Sequence, residues 1–389
     1  MPVNRRSFIA SAAMASLPVI LPLSNAFGRQ EEKHPDAPAK PIVKLYGDGE
    51  MFGPQDYLAE LQKYNTIKPI VKDQYGIGGE VEALEKKFAE ITGKEKAIYM
   101  PSGTMANQLA IAVLSGENTK VFVQDTSHIY RDEADAAQSV FNKRLVPLAK
   151  NETFFTVDHL RDALGNLARE EVFVSGTGAV AIETPVRRAD GKMVPIEELK
   201  KISAYCKNNN IKLHLDGARI YLASAWSGIP VKEYASLFDT VYISLYKYFG
   251  AAGGAVLCGD RAVIDKMVHL IKVHGGNMYG NWMNAAMALH RMEGFESRLK
   301  DAIIRANEIF AVLNKIPGVK VEELDGGTNI YNLHLPKGID GKKLQDKLNK
   351  DYAIRMPRPD EKDISMISVN ETLLYQPADY VIEAFRKSL

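Results

Sequence analysis

The run Lys212-Leu213-His214-Leu215-Asp216-Gly217-Ala218-Arg219 reads as an apolar strand that delivers a carboxylate at its end and an arginine three residues later. Further on, a second apolar strand over 241–244 is followed by Lys247. A strand-end lysine beside a strand-end aspartate suits pyridoxal phosphate (PLP). The lysine amine binds the aldehyde as a Schiff base, and the aspartate keeps the pyridine nitrogen protonated so that the ring draws electrons. The same residues would also serve as an Asp–Lys or Asp–Arg ion pair at a sheet edge. In Pro101-Ser102-Gly103-Thr104, small donors and a glycine lie between a strand and a helix start. Free N–H groups and the helix dipole favour a phosphate there, although a serine or threonine would equally cap the helix. His128 follows the strand ending near Val123, where an imidazole can lie flat on a pyridine ring and Asp132 or Glu133 can orient it. The other histidines show no metal-ligand spacing, so no metal site is expected. Cys206 and Cys258 make no CxxC and read as buried free thiols.

These residues need elements to position them. The spacing predicts a helix over 81–92 ended by Gly93, a strand over 96–100 and a helix over 105–114. Strands follow over 121–123, 179–183, 212–215, 241–244 and 255–257, with a helical stretch over 196–208 between them. Strands alternating with helices imply a mainly parallel sheet flanked by helices on both faces. Beyond 294 come a long helix over 298–315, a strand over 329–335 and a helix over 341–348, a smaller α+β unit. Gly76-Ile77-Gly78-Gly79 lacks the strand-turn-helix setting of a dinucleotide fingerprint and reads as a turn. Ligands of open α/β sheets bind beyond the carboxyl ends of the strands. Ser102 to Thr104, Ser127-His128, Glu183, Asp216 to Arg219 and Lys247 are what these strands present there.

Composition sets outer bounds. The chain has 389 residues, 46% of them hydrophobic, which excludes a disordered or collagen-like protein. Lys+Arg 49 against Asp+Glu 48 leaves +1, so no basic footprint for nucleic acid or an anionic membrane is present. The start, Asn4-Arg5-Arg6-Ser7-Phe8 with an apolar run to about Leu23 and then Ser24-Asn25-Ala26, reads as an export signal of the twin-arginine type over 1–26. The apolar run is too short for a membrane span of about 20 residues. The expected organisation is therefore a signal over 1–26, a linker and N-terminal segment over 27–60, a large domain over 61–293 and a small domain over 294–389. The mature protein is expected to be exported to the periplasm, with no membrane attachment.

Taken together, these segments resemble the fold-type-I PLP enzymes, and within them the threonine aldolase and β-eliminating lyase family. The resemblance runs from about Gln74 to Met292. It rests on Tyr75-Gly76, Pro101-Ser102-Gly103-Thr104-Met105-Ala106-Asn107, Ser127-His128, Glu183 with Arg188, His214-Leu215-Asp216-Gly217-Ala218-Arg219 and Leu245-Tyr246-Lys247. It implies that Lys247 carries the cofactor, Asp216 pairs with the ring nitrogen and His128 stacks on the ring. Ser102, Gly103 and Thr104 would hold the phosphate, with Lys272 reaching it from a neighbouring subunit of a homodimer or homotetramer. Arg219 would meet the ring hydroxyl or the substrate carboxylate, and Arg188 is a second substrate contact. The implied reaction is retro-aldol cleavage of a small β-hydroxy amino acid. β-Elimination, transamination on the same fold and cofactor binding without turnover are the alternatives.

Four positions depart from the aldolase pattern. Tyr46-Gly47-Asp48-Gly49-Glu50 stands where Ser-Asp-Thr is expected, and Val186 and Tyr279 stand where a histidine and an arginine are expected. A C-terminal arginine falls near Ser365, for which Arg355 or Arg358 would have to substitute.

Overall fold

The computed structural model describes residues 41–389; the expected signal over 1–26 and the start of the linker, up to residue 40, lie outside the described residues. Twelve strands are described: β1 (Val43–Lys44), β2 (Lys96–Met100), β3 (Lys120–Gln124), β4 (Arg144–Leu148), β5 (Thr177–Glu183), β6 (Lys212–Asp216), β7 (Thr240–Ser244), β8 (Ala255–Gly259), β9 (Lys320–Glu323), β10 (Ile330–His334), β11 (Ile354–Arg355) and β12 (Ile364–Ser368). Seven of them form one sheet in the order β2-β8-β7-β6-β5-β3-β4. From β7 to β4 every pairing is parallel, and β8 alone in the sheet runs against its neighbours. β3, β7 and β8 are buried at every position. That is why they read as continuous apolar runs rather than alternating ones.

Within the sheet, side chains still alternate between two helical layers. Phe122, Val180, Ile182, Leu213, Leu215, Val241 and Ile243 join a core with the helices Gly79–Thr92 and Ile196–Asn208. Val121, Val123, Ala179 and Ala181 pack on the opposite side against the helix Gly103–Ser115, and Tyr242, Ala255 and Leu257 add the helix Arg261–Val273. Leu213 and Leu215 thus fix where His214 and Asp216 point: toward the helix Gly103–Ser115.

A second sheet, β12-β10-β9, is antiparallel and lies on its own core with the helices Phe295–Leu313, Gly341–Tyr352 and Ala378–Ser388. The N-terminal segment belongs to this core. β1 pairs with β11 in parallel, and Val43 and Leu45 are buried there. The expected linker over 27–60 therefore carries structure from β1 onward, including the start of the helix Pro54–Ile67. Helices Val157–Glu170 and Trp282–Met292 and strand β4 also lay outside the sequence expectations. Cys206 and Cys258 are buried free thiols. No helix among the described residues is long and apolar enough to cross a membrane.

Candidate active site

The parallel strands end at one edge and hand over their residues there in turn. Asp216 closes β6 and is almost fully buried. Its Oδ2 accepts a hydrogen bond of 3.0 Å from Asn107 Nδ2, and its Oδ1 accepts one of 3.2 Å from the Ala218 N–H. Asn107 Nδ2 also donates to Glu133 Oε1 at 2.8 Å, so one amide bridges two carboxylates. Both amide hydrogens are then used, and Asn107 Oδ1 is left to accept from His214 Nε2 at 3.0 Å. The proton of the neutral His214 ring sits on Nε2, and Nδ1, 2.8 Å from Thr240 Oγ1, accepts from that hydroxyl. Burial pushes the His214 pKa down to about 4. Burial, followed by the charge of Asp216, pushes Glu133 up to about 7.

His128 opens the short helical turn after β3. Its N–H donates to Glu183 Oε2 at 2.7 Å, and Glu183 Oε1 accepts from the Arg187 N–H at 2.8 Å. Glu183 is thus a fully buried tie between two loops, its pKa raised by burial and then by Asp216. The His128 ring meets a carboxylate at Nδ1, 3.2 Å from Asp132 Oδ2. Of the two acids that sequence offered as orienters, Asp132 makes the hydrogen bond, and Glu133 Oε1 stays 4.0 Å from Nε2. Arg188 does not stand free for a substrate: it forks onto Asp132 through Nε and Nη2, and Arg187 adds a third donor at 3.1 Å.

Lys247 follows β7, with Nζ 6.0 Å from the centre of the Tyr242 ring and 5.3 Å from that of Tyr246. Its pKa is lowered, first by burial and then by the nearby Arg219 charge. Arg219 Nε donates to Asp48 Oδ2 at 2.7 Å. Asp48 thus keeps the acid of the expected Ser-Asp-Thr segment while its neighbours become glycines. A Cβ on Gly49 would lie 2.8 Å from Tyr248 Cα, so only glycine lets this arm lie so close to the lysine's neighbour. Asn370 Nδ2 holds the arm from the other side through the Lys44, Tyr46 and Gly47 carbonyls.

Ser102 caps the helix Gly103–Ser115, its Oγ accepting from the Met105 N–H at 3.2 Å. A Cβ on Gly103 would lie 2.1 Å from Tyr242 Oη, so this glycine is required by the tyrosine packed against it. The first-turn N–H groups at Gly103 and Thr104 have no intrahelical acceptor and face the anion-favouring end of the helix. Lys272 lies apart from this cluster in the single chain, with Nζ 5.5 Å over the Tyr75 ring. Tyr75 packs edge-on against Tyr279, 5.3 Å between centres, at the position of an expected arginine. Val186 is fully buried, and Ser365 is buried with its hydroxyl on the Pro357 carbonyl. Arg355 donates to Asn349 on the surface, and Arg358 is exposed.

PLP fits this donor set. It needs a buried acid for its ring nitrogen, an amine for its aldehyde and donors for its oxygens, and Asp216, Lys247 and the helix Gly103–Ser115 are those groups. Two buried hydroxyls at the same strand ends, Ser127 Oγ and Ser244 Oγ, have no hydrogen-bond partner. Unpaired buried hydroxyls are uncommon, and a polar ligand would satisfy them. Sequence reasoning missed Asn107 as a bridge, Asp48 as the partner of Arg219, and Ser244.

Comparison with known proteins agrees. The sequence model of the beta-eliminating lyase family matches residues 69–335. A low-specificity L-threonine aldolase of Candida albicans is 36% identical over 222 residues, 56% of this chain and 58% of that protein. The chain thus spans little more than half the length of that relative. Low-specificity L-threonine aldolase 1 of Arabidopsis thaliana is 26% identical over 326 residues, 82% of this chain and 89% of its own length. The crystal structure of a candidate L-allo-threonine aldolase from Listeria monocytogenes superposes with a TM-score of 0.73 at 26% identity, covering 90% of this chain and 97% of that one.

Proposed function

Because the chain belongs to the beta-eliminating lyase family, we propose that it is a PLP-dependent lyase that cleaves a small β-hydroxy amino acid to glycine and an aldehyde. The observation that carries this reading is the convergence of Asp216, Lys247 and His128 at the carboxyl ends of β6, β7 and β3. PLP, when bound, supplies a sink for the electron pair released at the substrate Cα. The chain supplies the rest. Asp216, held by Asn107 and the Ala218 N–H, presents a fixed acceptor to the ring nitrogen. Lys247, with its pKa lowered, has a larger neutral fraction near pH 7 than an ordinary lysine and can act as a nucleophile. Arg219 faces the substrate carboxylate from its anchor on Asp48. His128 removes the β-hydroxyl proton. The Tyr242 and Tyr246 rings flank the lysine amine, with their centres 6.0 Å and 5.3 Å from Nζ.

A second reading follows from Val186. A valine where the aldolase pattern expects a histidine removes one acid–base group, which favours β-elimination to an α-keto acid and ammonia. The deciding assay takes signal-free protein whose absorbance shows bound PLP and supplies L-threonine, L-allo-threonine or L-serine. Aldehyde released in step with glycine supports the aldolase. Keto acid and ammonia without aldehyde would move the assignment to β-elimination.

Two further proposals concern the whole chain. The mature protein acts in the periplasm after export through its twin-arginine signal, which fractionation of a tagged chain would test. It also works as a homo-oligomer. Tyr75, Ile77, Val268, Met278 and Tyr279 expose large apolar surfaces, and Lys272 lies over Tyr75 among them, suitably placed to serve a neighbouring copy.

A further inference from the structure

His128 is left with the acid–base work that a side chain at position 186 does not do, and a histidine does that work only in the right tautomer. Its two nitrogens meet different acids. Asp132 lies within hydrogen-bond distance of Nδ1, 3.2 Å away. Glu133 lies 4.0 Å from Nε2, outside hydrogen-bond reach, and already accepts from Asn107. Asp132 is itself immobilised, with Arg188 forked across both its oxygens and Arg187 on Oδ2. Arg188, by its hydrogen bonds and then its charge, holds this carboxyl down at about 2, so it is an ionised acceptor at any working pH.

We propose that Asp132, clamped by Arg187 and Arg188, is a positioning residue that keeps the proton of the neutral His128 ring on Nδ1 and leaves Nε2 free as the base for the substrate hydroxyl. The tautomer follows from geometry alone, whereas its use in catalysis rests on the retro-aldol reading above. In that step the hydroxyl O–H bond breaks and its proton goes to Nε2. The freed oxygen pair closes the aldehyde C=O as the Cα–Cβ bond breaks, and the Cα–Cβ pair stays at Cα in the electron sink. One proton returned to Cα completes glycine, so no oxidant, reductant or net proton is consumed. Arg188 thereby acquires a role through His128 rather than on the substrate.

The test separates the two layers. Nitrogen-15 spectra of histidine-labelled protein, with His128 assigned by its loss in His128→Asn, should show the Nδ1–H tautomer. In Asp132→Asn the new amide can donate to Nδ1, and the proton should move to Nε2. Turnover should then drop by about 10²- to 10⁴-fold in kcat with KM nearly unchanged, while the PLP absorbance stays as in the parent. Asp132→Glu should recover part of kcat, and Arg188→Ala, a milder change, should lose less than Asp132→Asn. An Nε2–H tautomer in the parent, or an unchanged tautomer in Asp132→Asn, overturns the proposal. The spectra need no substrate, so they decide the tautomer even if the parent releases no aldehyde, a result that would instead sink the retro-aldol reading. A changed tautomer with unchanged turnover would remove Nε2 as the base.

Discussion

Asn107 is the residue on which most of the buried polar network depends. One side chain serves Asp216, Glu133 and His214. Replacing it with leucine, of similar size and no polarity, takes one hydrogen bond from each of three buried groups, at about 1–3 kcal/mol for each. Asn107→Leu should therefore lose at least about 3 kcal/mol in urea unfolding and retain PLP less tightly than the parent. The two titrating neighbours pull stability in opposite directions. Glu133 is raised from 4.5 to about 7 on folding, so the folded chain keeps a proton that the unfolded chain releases between those values. Its contribution to stability is present at low pH and is lost as pH rises through 7. His214 is lowered from 6.5 to about 4, so its contribution is present above 6.5 and is lost as pH falls toward 4. Glu133→Gln keeps an acceptor for Asn107 and removes only the first effect. In urea titrations the variant should match the parent near pH 4.5 and exceed it at pH 8 by on the order of 2–3 kcal/mol. Equal stability at both pH values would contradict the raised carboxyl.

At the scale of elements, the legible parts were those whose burial shows in one short window. β2, β3, β6, β7 and β8 are apolar runs bounded by polar residues, and each matches its expected position within about two residues. The residues presented at their ends, His128, Asp216 and Lys247, could be read for the same reason. The arm of residues 45–50 could not. β1 is two residues long and exists only because β11, more than three hundred positions away, pairs with it. No local pattern records that pairing. Asn107 was visible within a motif, but its bridge depends on the side of β6 from which Asp216 points, which is a fact about packing. Gly49 tests the arm directly. A methyl group there would meet Tyr248 Cα at 2.8 Å, backbone that cannot swing aside. Gly49→Ala should push Asp48 off Arg219 and reduce kcat/KM for the amino acid by about 10- to 100-fold, mostly through KM, with little change in the Tm of the loaded protein. An unchanged KM would mean the arm does not serve the substrate side.

For the whole molecule, the open question of assembly has a concrete surface. Ile77 is 78% exposed and Tyr279 61% exposed, an unusual price for a monomer to place in water. Light scattering should give a mass of at least two chains, and Ile77→Asp with Tyr279→Asp should shift it toward one chain while leaving secondary structure intact. A parent that runs as a monomer at working concentration would leave Lys272 without a neighbour to serve. The arm has one more consequence, which concerns the order in which the chain is made. Leu45 pairs with Arg355 and Ser368, and Asn370 clasps residues 44–47. The ribosome releases those partners more than three hundred residues after the arm. Asp216 and Lys247 can take their places while synthesis is still under way, but β1 must wait beside a half-built pocket until residues 354–370 emerge. Cofactor capture in its finished form is thereby tied to synthesis of residues 354–370, and a product truncated before them would hold Lys247 after β7 without the arm that sets Asp48 against Arg219.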